Sequence, residues 1–142
     1  MLNTILVAVD SSELSKQVIL TLRQFSLPAE TLVVLTHVIA PSESGLDLPA
    51  DRPGSDPQLG LYRHIEVELE AIQASLPCRS QIEIVSGDPA EEIIRLANIH
   101  KTDLIVLGSR GLTGVNRILK GSVSSQVVSD AHCSVLVVKQ FP

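Results

Sequence analysis

The apolar positions of the chain fall into short, nearly continuous runs separated by stretches of helical spacing. Thr4–Val9 reads "TILVAV", rich in β-branched residues, and predicts a strand buried on both faces, as in a parallel sheet. Thr31–Ile39, Asp103–Leu107 and Ser134–Val138 read the same way. Ser80–Val85 alternates instead, with Ile82 and Ile84 on one face, which predicts a half-exposed strand near a sheet edge. Between the strands, Leu14, Val18, Leu22 and Phe25 keep helical spacing, and Leu27–Pro28 closes that stretch. Leu61, Ile65, Leu69, Ile72 and Leu76 mark a second helix that stops at Pro77. A third helix is predicted from Pro89 to about His100, and a fourth from about Ser122 to Asp130.

The helix starts carry their own signals. After the first strand comes Asp10, then "SSE", in which Ser11 or Ser12 can cap orphan N–H groups and Glu13 suits the positive helix end. "GDPAEE" is stronger: Asp88 suits the N-cap, Pro89 the first helical position and Glu91 the capping-box position. Residues 40–57 hold four of the eight prolines and no periodicity, so a long surface loop is expected there. Strand and helix thus alternate four times and close on a strand. The order implies one α/β domain over residues 1–142, built on a doubly wound parallel sheet of five strands with helices on both faces.

In such a sheet, ligands bind beyond the carboxyl ends of the strands, where the winding reverses. Attention therefore falls on Asp10–Ser12 and on Gly108–Gly121. The second segment belongs to "LIVLGSRGLTGVNRILKGSVSSQVV", Leu104–Val128. It contains no P-loop string, and the first strand is followed by "DSSE" rather than by a dinucleotide glycine fingerprint. A receiver domain would need an acidic pair after the first strand, where Asp10 stands alone. What remains is Gly108-x2-Gly111-x9-Gly121-Ser122. Glycines let backbone N–H groups approach a ligand closely, and a helix start is an anion site. Ser122 and Ser124 add hydroxyl donors. Leu104–Ser129 has no Asp or Glu but carries Arg110, Arg117 and Lys120, in a chain of net charge −5. A locally positive glycine loop of this kind suits a bound polyphosphate.

With those residues in view, the chain resembles the universal stress protein family. The resemblance rests on "ILVAVDSSE", on "THV" ending the second strand, and on "VLGSRGLTGVNRILKGSVSSQVV" followed by "HCSVLVV". It covers nearly the whole chain. In that family the Gly-x2-Gly-x9-Gly-[Ser/Thr] motif marks members that bind ATP or AMP. The resemblance implies strand order 3-2-1-4-5, adenine-nucleotide binding, a homodimer and a role in stress survival or signalling. Carried over residue by residue, it implies that Ala8, Val9 and Asp10 line the adenosine side of the crevice. Val38 would offer backbone groups to the adenine edge, and Leu107 and Gly108 would close the floor. Gly111, Gly121, Ser122, Val123 and Ser124 would wrap ribose and phosphates, while Arg110 joins the candidate site on its charge rather than on the resemblance. Two departures stand out. The family often has Asp-Gly-Ser where this chain has Asp10-Ser11-Ser12, and it usually has Pro where this chain has Ser134.

Composition bounds the rest. The net charge and the three aromatics, Phe25, Tyr62 and Phe141, argue against nucleic-acid binding. No apolar run approaches a membrane span, and the N-terminus lacks a basic, cleavable leader, so a cytoplasmic protein is expected. Cys78 and Cys133 stand far apart and read as free thiols. The four histidines have no metal-ligand spacing, and His37 reads as a hydrogen-bonded structural residue. In the family's strand order the last strand, with Val135, Leu136, Val137 and Val138, would be an apolar edge that a second copy can cover. Three readings stay open: a dimeric ATP/AMP sensor with little catalysis, a slow ATPase or autokinase, and a protein–protein adaptor with a vestigial nucleotide site. No catalytic residue and no metal ligand is assigned, and the need for Mg²⁺ is open.

Overall fold

The computed structural model describes residues 2–10, 13–41, 57–109 and 122–139. Among these described residues nine elements alternate: β1 (Thr4–Ala8), α1 (Glu13–Arg23), β2 (Leu32–Ile39), α2 (Pro57–Ala74), β3 (Arg79–Ser86), α3 (Pro89–Ile99), β4 (Leu104–Ser109), α4 (Ser122–Asp130) and β5 (Ser134–Lys139). The strands form one sheet in the order β3-β2-β1-β4-β5, every pair parallel. This is the expected doubly wound arrangement.

The continuous apolar runs follow from burial on both faces. Ile5, Leu6 and Val7 of β1 and Ile105 and Val106 of β4 have no exposed surface. Alternate side chains divide between two cores. Ile5, Val7, Val33 and Leu35 pack with Val18 and Leu22 of α1 and with Ile65 and Leu69 of α2. Leu6, Val34 and Ile105 pack with Ile93 and Leu96 of α3 and Val127 of α4. β3 lies at an edge and is partly exposed along its length, as its alternating pattern predicts.

Most boundaries agree with the sequence expectation to within two residues, and three differences are instructive. α1 stops at Arg23, short of Phe25, because the chain tightens: Gln24 N donates to Thr21 O and Phe25 N to Leu22 O, both i to i−3. Phe25 is left 38% exposed. α2 starts at Pro57, inside the expected loop, where proline's fixed φ suits a first helical position. β4 runs two residues further than expected, to Ser109. The proposed Ser11 and Ser12 caps and residues 42–56 of the loop lie outside the described residues.

The amino-terminal end of the sheet is stapled by one carboxylate. Asp103 Oδ2 accepts from Asn3 N at 2.9 Å and from Thr4 N at 3.0 Å, while Asp103 N donates to Thr4 O. The bond from Thr4 N, then that from Asn3 N, holds this carboxyl below its ordinary pKa. The staple sits at the opposite end of β1 from Ala8.

Candidate functional site at the carboxyl ends of β1, β2 and β4

A crevice follows from the register. β1 and β4 stay paired from Ile5–Leu104 to Val7–Val106 and no further. Each continues with its outer neighbour: β1 with β2 to Ala8–Thr36, and β4 with β5 to Ser109–Lys139. The two central strands therefore part where the winding reverses, as expected at a switch point. A cavity of about 260 Å³ lies there. Ala8 borders it from the end of β1, Val9 and Asp10 from the turn that follows, and Leu107 and Gly108 from β4. Val38 borders it from β2 and Val123 from α4.

Val9 is locked in place although it lies past the last residue of β1. Its N–H donates to Thr36 O at 2.8 Å, and its carbonyl accepts from His37 Nδ1 at 2.8 Å. A carbonyl only accepts, so Nδ1 carries the proton. His37 is buried and acts as a strut from β2 to the β1 turn, which sets where Asp10 emerges. The structural reading of this histidine holds.

The third wall comes from α3. Asp88 caps the helix, its Oδ2 accepting from Glu91 N at 3.1 Å, and Pro89 takes the first turn. Gly87 precedes the cap at φ +146°, a conformation side chains rarely adopt. A Cβ there would also sit 3.0 Å from Glu92 Cγ. This turn aims Pro89 and Ile93, one helical turn apart, at the cavity.

Of the residues expected at the site, seven line the cavity: Ala8, Val9, Asp10, Val38, Leu107, Gly108 and Val123. Ser124 is buried in α4 but does not line it. Ser122 begins α4. Arg110, Gly111 and Gly121 lie outside the described residues. The sequence reading missed Thr36, Ala40, Pro89 and Ile93. Thr36 and Ala40 were within reach, since they share the strand face of Val38 at period two. Pro89 and Ile93 carried no signal beyond helix packing.

The lining is mostly apolar, and Asp10 is the one ionisable side chain on it among the described residues. No cluster of three or more His, Cys, Asp or Glu side chains suited to a metal occurs among the described residues. Among them, too, no helix is long and apolar enough to cross a membrane. The thiols of Cys78 and Cys133 are free and pushed up in pKa, chiefly by burial. Neither borders the cavity.

The model of the universal stress protein family matches residues 1–139. A universal stress protein of Thermus aquaticus is 32% identical over 139 residues, covering 98% of this chain and 100% of that protein. The Methanocaldococcus jannaschii protein MJ0531 is 53% identical over a shorter match of 58 residues, 41% of this chain and 34% of the relative. Among solved structures, protein MJ0577 superposes with a TM-score of 0.81 at 31% identity, covering 99% of this chain and 98% of that one. A universal stress protein solved in complex with cAMP shares the fold, with a TM-score of 0.69 at 21% identity over 97% of each chain.

Proposed function

Because the chain belongs to the universal stress protein family, we propose that the cavity between β1 and β4 binds an adenine nucleotide, ATP or AMP. The base and ribose occupy the 260 Å³ cavity. The phosphates run toward the start of α4 and the segment from Gly108 to Gly121, with Arg110, Gly111, Gly121, Ser122 and Ser124 around them. The single observation that carries this reading is the parting of β1 and β4 over an apolar cavity bounded by residues 8–10, 107–108 and 123. Those positions flank the glycine motif on one side and the lone acid after β1 on the other. The cAMP complex of the family member described above lends support, as an adenine nucleotide on the same fold.

The protein acts as a nucleotide-dependent sensor or signalling module in the cytoplasm, with little turnover. Phosphoryl transfer calls for metal-binding acids and a base near the γ-phosphate, and Asp10 alone borders the cavity with a carboxylate among the described residues. Two copies pair through β5. That strand lies at the sheet edge, and its Val135, Leu136 and Val137 are only partly buried within the chain. An uncovered apolar edge is an aggregation hazard that dimerisation removes.

Calorimetric titration of nucleotide-stripped protein with ATP and AMP, with and without Mg²⁺, tests the reading. The expected result is micromolar binding that Gly121→Val abolishes. No binding at millimolar nucleotide would overturn it.

A further inference from the structure

β2 has one polar residue on the face it turns to α3 and α4. Val34 and Val38 join the apolar core there, and Thr36 lies between them. Thr36 has no exposed surface, and it borders the cavity. Its backbone carbonyl is committed to Val9 N. Its hydroxyl, by contrast, is buried with no hydrogen-bond partner. A buried hydroxyl left unmet destabilises a protein, whereas valine has nearly the same shape and no such group. The strand is otherwise apolar at every neighbouring position except His37, which is bonded to Val9. Packing alone therefore gives no reason for a threonine at position 36.

Its location supplies one. Parallel β2 runs toward the mouth of the crevice, so Thr36 lies one side chain deeper than Val38 on the same face. A planar base entering past Val38 meets Thr36 with its inner edge. A hydroxyl is both donor and acceptor and turns about χ1, so it can pair with a ring nitrogen or with an exocyclic amine. We propose that the Thr36 hydroxyl is a base-binding contact at the floor of the cavity, unmet in the free protein and satisfied by an edge atom of the bound purine. This rests on the adenine-nucleotide reading and adds to it a residue that reads the base.

The test compares wild type, Thr36→Val and Thr36→Ser. Nucleotide-stripped Thr36→Val is expected to melt about 2–5 °C higher than wild type, because an orphaned polar group is gone. The same variant is expected to bind AMP about 3- to 10-fold more weakly, the size of one hydrogen bond. Thr36→Ser keeps the hydroxyl and most of the affinity. Titration with 1-deaza, 3-deaza and 7-deaza AMP, and with purine riboside monophosphate, which lacks the exocyclic amine, then finds the partner atom. Its removal weakens binding to wild type and has no further effect on Thr36→Val. Opposite signs in stability and affinity are the signature, since a merely structural hydroxyl would lower both together. A fall in melting temperature of the free valine variant overturns the proposal. So does unchanged AMP affinity in that variant while wild type binds, and in that case the nucleotide reading stands. No binding of AMP or ATP to wild type overturns both.

Discussion

A groove of about 560 Å³ between α1 and α2 is more than twice the volume of the cavity at the ends of β1, β2 and β4, at about 260 Å³. Volume alone would favour the groove. Val9 and Asp10 border both, so the β1 turn is the wall between them. The groove's other borders are helix flanks, including Leu20, 57% exposed, with Lys16, Arg23 and Glu68 around it. Its contacts beyond the turn come from two helices and from Ser75, just past the end of α2. The smaller cavity draws on three strands and the starts of two helices, and a buried hydroxyl without a partner borders it. Recognition needs convergent groups held rigidly, with a polar atom that gains a partner on binding. The groove carries charged side chains on its flanks, but among the described residues no buried, unmet polar atom borders it.

The comparison can be broken at the level of the two cores. Leu22 of α1 and Leu96 of α3 are each buried, one on either face of the sheet. Each leucine-to-alanine change is expected to cost about 2–5 kcal/mol by chemical denaturation. A loss under about 1 kcal/mol at Leu96 alone would mean that the α3 face packs loosely and that its cavity is not a rigid site. Filling each space sharpens the contrast further. Val123→Phe thrusts a ring into the smaller cavity and is expected to weaken nucleotide binding by about 1–3 kcal/mol, the cost of overpacking. Ala71→Leu, on the groove, is expected to leave affinity unchanged in the same titration. Reversal of those two results would move the site to the groove.

The smallest effect lies at the far end of the sheet and serves as its control. The folded pKa of Asp103 is depressed by the N–H groups of Thr4 and Asn3. Its stabilising contribution is therefore complete above the unfolded value of about 3.9 and is lost as pH falls through the lower folded value. Thermal melts of wild type and Asp103→Asn are expected to differ at neutral pH and to converge as the pH drops below that range. Nucleotide affinity should not change, because the staple touches neither cavity. A constant gap at all pH values would show that the staple works through its shape rather than its charge.

Much of the architecture is legible in one dimension because it is locally caused. A strand buried on both faces must be apolar at both parities, so the runs at Thr4–Val9 and Asp103–Leu107 betray a parallel sheet. Asp88 announces α3 because a cap acts within three residues of itself. Asp10 and Gly108 stand out because strand ends at a switch point are where such a sheet binds. The end of α1 was harder to read. Phe25 keeps helical spacing, yet spacing does not reveal that the last turn tightens and leaves the ring half in solvent.

Element order and the doubly wound sheet are written in the chain alone, since each depends on burial and capping within a few residues, and the sheet's winding in turn singles out the strand ends as the candidate site. Folding in three dimensions was needed to part β1 and β4 after Val7 and Val106, and to bring Pro89 and Ile93 to the space from a helix some 80 residues along from the β1 turn. It also decided that the Thr36 hydroxyl lies there without a partner. Threonine in a strand is ordinary by propensity. Whether its hydroxyl is met depends on atoms brought from β1, α3 and β4, and that convergence exists only once the chain has folded.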